Sequence, residues 1–292
     1  MSERQLKLGL PAGSMQEATI DLFRRAGFRI SLPERSYVPA FDDPEITALL
    51  IRAQELPCYV EEGIFDAALT GYDWILERGV DVVEVAELAY ARQGPGVARW
   101  VILVPEESEI TAVEQLQGKR IATELVEVTR RYLAERGVQA EIEFSWGATE
   151  VKLRKIVDAV VDLTETGASI RANRLRVLDE VLQTTVRLIA NRDSWADEWK
   201  RTKIENIAVM LQGALDAEGK VGLKMNVQRK DLDAVLALLP ALKRPTISEL
   251  AESGWVAVET IIDETVVRTI IPALKRAGAS GIIEYPLNKV IP

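Results

Sequence analysis

Asp162 closes an apolar, β-rich run, AVVDL, and is followed by Thr164-Glu165-Thr166-Gly167-Ala168-Ser169 and then by SIRANRLRVL, a segment that can be helical. A glycine at position 167 lets the backbone turn sharply or approach a ligand closely. Thr166 and Ser169 bring hydroxyls to the same loop. Unpaired N–H groups at a helix start, with the positive end of the helix dipole, make an anion site. Asp162, at the same edge, is placed for the hydroxyls of a sugar attached to such an anion. The same residues also fit a solvated loop in which Ser169 only caps the helix.

Composition limits the chemistry that can accompany this loop. The chain has 292 residues and no histidine, which removes a Ser-His-Asp triad, imidazole acid–base chemistry and His-ligated zinc. Catalysis must then rest on carboxylates, cations, backbone dipoles or a metal. The net charge of −9 argues against general nucleic-acid binding but not against a small polyanion held by amides, local cations and Mg²⁺. A single cysteine, Cys58, cannot form an internal disulfide, and MSERQLKLGLPAG shows no signal-peptide layout. With no apolar run near the ~20 residues of a membrane span, a cytoplasmic protein that binds neither nucleic acid nor membrane is expected.

The elements that must position the loop read as alternating strands and helices. QLKLGL, the PAGS turn and MQEATIDLFRRAGF form strand, turn and helix, with Met15, Ala18, Leu22 and Ala26 near one face and Gly27 ending the helix. ITALLIRA, LPCYVEEG, FDAALTG and YDWILERG continue the alternation, which predicts an α/β lobe with a substantially parallel sheet. RWVILVP, KRIATEL, VEVTRRYLAERG, VQAEIEFS and VDAVVDL make a second unit. TVRLIANRD then reads as a return strand before a long helix over SWADEWKRTKIENIAVMLQGALDAEG. The expected division is residues 1–95 with 185–212, 96–184, and 213–292. FDAALTG and VDAVVDLTETG both run from Asp-Ala through an apolar strand to a Thr-Gly turn, at the sheet edge where ligands of open α/β sheets sit. This is either an echo between two related lobes or chance. The last segment, in the order βαββαβ, is that of a ferredoxin-like domain, with Pro272 inside its second helix as the weak point.

DAVVDLTETGASIRANRLR resembles the signature of the ATP phosphoribosyltransferase family. The resemblance extends to LGLPAGSM, FDAALTGYDW, LQGKRIATEL, WGATE, LLPALKRPTISELA and AGASGIIEYPLNKV, in the family's order over essentially the whole chain. The final domain makes it similar to the long form of the family. The resemblance implies a two-lobed, periplasmic-binding-protein-like catalytic core and a C-terminal ACT-like domain. The implied reaction joins N1 of the ATP adenine to C1 of phosphoribosyl diphosphate (PRPP), releasing pyrophosphate with Mg²⁺, as the first step of histidine biosynthesis. Residues 165–169 (Glu165, Thr166, Gly167, Ala168, Ser169) then match the loop for the PRPP 5-phosphate, and Asp162 matches the acid on the ribose hydroxyls. Pro11, Ala12, Gly13 and Ser14 match the loop at the pyrophosphate end, and Thr70, Gly71 and Asp73 the nucleotide cleft. Arg52 is a candidate polyphosphate cation, and Glu150 matches the glutamate that opens the signature. Leu242 and Thr246 fall where L-histidine binds as feedback inhibitor, and a homo-oligomer, dimer or hexamer, is implied.

The sequence departs from the family pattern in three places. VKLRKIV follows Glu150 where a glycine is common, with spacing one residue shorter. Ser14 stands where arginine or another residue is usual, and Ser169 replaces threonine while keeping the hydroxyl. Two rival readings are a two-lobed solute-binding protein and a catalytically silent regulator that senses an amino acid.

Overall fold

A computed structural model describes residues 4–33, 36–91, 96–147, 149–153, 155–240 and 245–291, with Thr149 and Glu150 described by their backbone only. Two compact units, Met1–Leu211 and Gln212–Pro292, divide the chain.

In the first unit, β1 (Leu6–Ala12) is a central strand whose alternate residues Leu6, Leu8 and Leu10 are all fully buried. α1 (Gln16–Arg25) buries Thr19, Ile20, Leu22 and Phe23, a stripe at helical spacing. Of the face read from the sequence, Leu22 and Ala26 are buried and Met15 and Ala18 sit half-buried on its flank. Short strands β2 (Ile30–Ser31) and β3 (Ala40–Phe41) pair before β4 (Ile46–Arg52), α2 (Leu56–Glu61), β5 (Ala67–Gly71), α3 (Tyr72–Arg78) and β6 (Val83–Leu88). The chain then enters a second sheet through β7 (Ala98–Pro105), β8 (Arg120–Thr123), α4 (Val126–Glu135), β9 (Glu141–Phe144), β10 (Ala159–Thr164), α5 (Ala168–Ala172) and β11 (Leu175–Thr184). It returns as β12 (Val186–Ala190), followed by α6 (Arg192–Ala196) and α7 (Glu198–Asp216). We refer to the two sheets with their helices as lobes I and II.

Lobe I has the strand order β4-β1-β5-β12-β6, and lobe II the order β11-β7-β10-β8-β9. The sheet of lobe I is substantially parallel, as expected, with one reversed strand: β4, β1, β5 and β6 share a direction. β4, β1 and β5 run parallel, but β12 enters from the other lobe and lies antiparallel to both β5 and β6. The strand β6, VEVAEL, has no counterpart in the sequence reading.

One correction touches the loop itself. The helix expected through SIRANRLRVL lasts only five residues, Ala168–Ala172. Arg174 turns into the left-handed region at φ 50°, and Leu175–Thr184 runs as a ten-residue strand antiparallel to β7. β7 is buried from Trp100 to Pro105, so its backbone groups need partners on both edges, and β11 supplies one of them. The long helix expected after β12 is likewise broken, at Asp197, whose ψ of 117° is extended.

The second unit runs β13 (Lys220–Gln228), α8 (Leu232–Leu236), β14 (Thr246–Glu249), β15 (Trp255–Asp263), α9 (Glu264–Arg276) and β16 (Ser280–Pro286). Its antiparallel sheet has the order β14-β15-β13-β16, the ferredoxin-like arrangement. Val221, Leu223, Met225 and Val227 from β13 and Val256, Val258 and Ile262 from β15 pack on Val267, Ile270 and Leu274 of α9. Pro272 does not end α9. Pro272 and Arg268, whose carbonyl loses its donor, both lie on the exposed face, where water can replace the bond. Among the described residues no helix is long and apolar enough to cross a membrane.

Candidate active site

Five parallel strands, β1, β4 and β5 in lobe I and β8 and β10 in lobe II, end around one cavity of about 290 Å³. The carboxyl edge of parallel strands is where chain direction and loop geometry leave room for a ligand. Lobe I contributes Pro11, Ala12, Ser14, Arg52, Thr70, Gly71 and Asp73, and lobe II contributes Trp100, Glu124, Asp162, Leu163 and Glu165. Thr184, Thr185 and Val186, where the chain crosses back, complete the wall. Of the residues picked out from the sequence, nine therefore meet at one place: Pro11, Ala12, Ser14, Arg52, Thr70, Gly71, Asp73, Asp162 and Glu165.

The rest are placed differently. Gly13 forms the exposed turn beside them at φ 88°. Thr166, Gly167, Ala168 and Ser169 follow Glu165 but do not line the cavity. The backbone of Glu150 lies in a 3-10 turn over Thr149–Lys152. Leu242 lies outside the described residues. Thr246 opens β14 in the second unit and is exposed.

The loop after β10 is built around Thr164 and Gly167. The buried Thr164 hydroxyl accepts the Gly167 amide at 3.0 Å, and Gly167 takes φ 70°, which costs glycine little and other residues more. Neither hydroxyl caps α5. Its N-cap is Gly167, and Ser169 lies inside the turn, its carbonyl taking the Asn173 amide. Among the described residues, the amides of Ala168, Ser169 and Ile170 find no acceptor. Those orphan donors, more than the dipole of so short a helix, are what the loop offers an anion. Arg171 folds back to the Thr166 carbonyl at 3.1 Å and fixes the loop from beneath.

Arg52 ends β4 opposite Ala12 of β1, exposed at the cavity rim. Its guanidinium has no hydrogen bond or ion pair among the described residues, and it is the one cation among those lining the cavity. Against it stand Glu124, Asp162 and Glu165. No group of three metal-ligating side chains occurs among the described residues. That donor set fits Mg²⁺ arriving on substrate phosphates, since Mg²⁺ takes few protein carboxylates, and does not fit a dedicated metal cage.

Asp73 meets the cavity in another manner. It is 4% exposed, and both carboxylate oxygens are engaged: Trp100 Nε1 donates to Oδ2 at 2.8 Å and Thr184 Oγ1 donates to Oδ1 at 3.0 Å. The Thr184 hydroxyl in turn accepts the Asp73 amide at 3.1 Å. Burial pushes this carboxyl above the usual range, and the Trp100 and Thr184 hydrogen bonds oppose the shift without cancelling it.

Sequence reasoning missed Trp100, Glu124, Thr184 and Thr185. Glu124 follows β8 at the same edge as Asp162 and accepts the Gly147 amide at 3.1 Å, so the rule that pointed to Asp162 applies to it equally. Thr185 donates to Glu87 at 2.9 Å. Its place could be read only once the return strand was aligned between β5 and β6.

Comparison with known proteins identifies the family. The ATP phosphoribosyltransferase family profile matches residues 52–213, and the profile described as HisG, C-terminal domain, matches residues 217–289. The ATP phosphoribosyltransferase of Thermodesulfovibrio yellowstonii is 59% identical over 292 residues, the full length of both chains. Among solved structures, the ATP phosphoribosyl transferase (HisG:HisZ) complex from Thermotoga maritima aligns with a TM-score of 0.60 at 24% identity, over 71% of this chain and 99% of that one. The structure of Tv2483 bound to L-arginine aligns with a TM-score of 0.52 at 12% identity, over 74% of this chain and 87% of that one. At such identities the two structures speak to fold alone. The core is a two-lobed α/β fold, and a HisG C-terminal domain follows it.

Proposed function

This chain belongs to the ATP phosphoribosyltransferase family in its long form, and we propose that the cavity between its two lobes is where ATP and PRPP react. The enzyme carries out the first step of histidine biosynthesis. The observation that carries the site assignment is the meeting of Asp162, Glu165, Arg52 and the PAGS turn around one cavity, beside a loop with three unpaired amides.

In the reaction, N1 of the adenine attacks C1 of PRPP and pyrophosphate leaves from the opposite face. Positive charge develops on the sugar, so the step needs in-line positioning and a neutralised leaving group more than a strong base. A site without histidine can supply both. Positioning alone can contribute ~7–11 kcal/mol. The amides of residues 168–170, with the Thr166 and Ser169 hydroxyls, hold the 5-phosphate, and Asp162 accepts from the ribose hydroxyls. Arg52 and the turn at residues 11–14 face the pyrophosphate end, with Thr70 and Gly71 beside the nucleotide. Glu150 completes the lobe II side. Bound with pyrophosphate, Mg²⁺ would offset charge beyond what Arg52 can neutralise.

The lobes of the proposed enzyme comprise residues 1–95 with 185–212 and residues 96–184. Residues 213–292 form an ACT-like domain that takes L-histidine near Leu242 and Thr246 as feedback inhibitor. A remote ligand inhibits only if it prefers one of two arrangements, which a homo-oligomer provides. The proposed compartment is the cytoplasm.

One experiment tests these readings together. Purified protein is mixed with ATP, PRPP and Mg²⁺, pyrophosphatase is added to draw the reaction forward, and near-ultraviolet absorbance of N1-substituted adenine is followed with and without L-histidine. A rise that requires both substrates and is suppressed by L-histidine supports catalysis and regulation. A rise indifferent to L-histidine removes the regulatory reading, and no rise from folded protein removes the catalytic one.

A further inference from the structure

α3 follows the last residue of β5, yet it belongs to both lobes. Ile75 packs with Leu56, Val60, Phe65, Ala68 and Ile189 in lobe I. Trp74, its neighbour, lies in the lobe II core, edge-on to Trp100 with ring centroids 6.1 Å apart. Glu77 accepts the Glu127 and Val128 amides, at 3.0 and 2.9 Å, and so caps the start of α4. Arg131 of α4 reaches back to the Leu76 carbonyl at 2.6 Å, while Arg78 donates to the Gln54 carbonyl in lobe I at 3.0 Å. At the head of this helix, Asp73 is bonded to Trp100, which lies near the start of β7, and to Thr184, which ends β11. Those two strands are the segments by which the chain enters and leaves lobe II, and they pair with each other, Thr184 opposite Ala98 and Leu182 opposite Trp100.

We propose that Asp73 is a positioning residue, a pin that fixes the angle between the two lobes for the reaction and does not itself hold nucleotide. A nucleotide contacting this carboxylate would compete with two hydrogen bonds at a wall where Asp73 is almost wholly buried. The same bonds tie a helix wedged between the lobes to both crossing strands. The inference rests on the cavity being the reaction site, where the phosphate loop of lobe II and Arg52 of lobe I must present their substrates in line. A displacement of ~1 Å in such a site can cost on the order of 100-fold in rate.

Three variants of the full chain test the pin: Asp73→Asn, Thr184→Val and the two combined. Asparagine can still accept from Trp100 but no longer takes the Thr184 proton as an acceptor, and valine removes the hydroxyl at nearly constant volume. Each single change should lower kcat by on the order of 10- to 100-fold, with PRPP binding measured without ATP changed by less than about twofold. The combined variant should be no worse than Asp73→Asn alone, because both remove one linkage. An Asp73→Asn enzyme with unchanged kcat, or one whose loss lies in KM for ATP while Thr184→Val is unaffected, would overturn the proposal. Hydrogen exchange gives a readout independent of turnover: amides of α3 and of residues 98–101 should exchange faster in Asp73→Asn, and equal protection would also overturn it. Failure of the wild-type chain to form product from ATP and PRPP would instead remove the reaction site on which the proposal stands.

Discussion

Two Thr-Gly turns end strands of similar sequence, FDAALTG in lobe I and VDAVVDLTETG in lobe II, and they are finished in opposite ways. At Thr70-Gly71 the following acid, Asp73, is buried and its oxygens are taken by Trp100 and Thr184, while the Thr70 hydroxyl donates to the Ala53 carbonyl at 2.8 Å. At Thr164–Gly167 the acid precedes the turn, Thr166, Ala168 and Ser169 are exposed, and three amides have no acceptor among the described residues. One turn satisfies its polar groups internally and becomes rigid. The other leaves donors unpaired, at a cost in stability that an anion can offset. The same strand-and-turn unit thus serves as a strut in one lobe and as a binding loop in the other.

The sharpest way to break this contrast is Asp162→Ala. Removing a group that acts on the reacting sugar should lower kcat by roughly 100- to 1,000-fold. Thermal unfolding should shift little, because Asp162 is only half-buried. Near-normal turnover in a folded variant would end the role assigned to it. Next in size is Arg52→Met, which removes the one cation among the described residues of the cavity wall. Loss of a charge-assisted bond worth about 1.5–3 kcal/mol should raise KM for the polyphosphate substrates by roughly 10- to 100-fold. Unchanged kinetics would take Arg52 out of the site.

On the rigid side, Gly71→Ala should cost about 1–3 kcal/mol of stability, measured by denaturant unfolding. A Cβ there would lie 2.0 Å from Asp73 Oδ1, so the carboxylate would have to move. The smallest effects are expected at the open loop: Ser169→Ala should weaken PRPP binding by about 0.5–1.5 kcal/mol and leave unfolding unchanged. The two turns also differ in how acidity acts on them. Asp73 binds its proton more tightly folded than unfolded, so its ionisation costs the folded state progressively as pH rises from the unfolded value of 3.8. Asp73→Asn lacks that slope. The difference in unfolding free energy should therefore move in favour of Asp73→Asn as pH rises, and a flat difference would show that the buried carboxyl does not titrate differently on folding.

Much of the binding side was legible in the sequence because it is local. An apolar strand, an acid, a glycine and hydroxyls follow one another from Ala159 to Ser169, and strand ends with turns follow from side-chain period and turn chemistry. The rigid side is not local: the partners of Asp73 lie 27 and 111 positions away. β11 misled the reading for a related reason. Leu175, Leu178 and Leu182 stand at helical spacing, and the segment became a strand because β7 would otherwise leave a buried edge unpaired. β6 went unread because Glu84 and Glu87 interrupt its apolar run and its one partner among the described residues, β12, comes after the whole of lobe II.

β12 also has a consequence for how the molecule is made. It occupies the place between β5 and β6, so the sheet of lobe I cannot close until residue 190 has left the ribosome. Until then β5 and β6 each present a bare edge, the kind of surface on which chains aggregate. The second sheet, continuous from Ala98 to Thr184, can be completed earlier. The usual order, in which the N-terminal unit of a nascent chain folds first, is reversed here. A pause in translation after lobe II would leave lobe I waiting for β12.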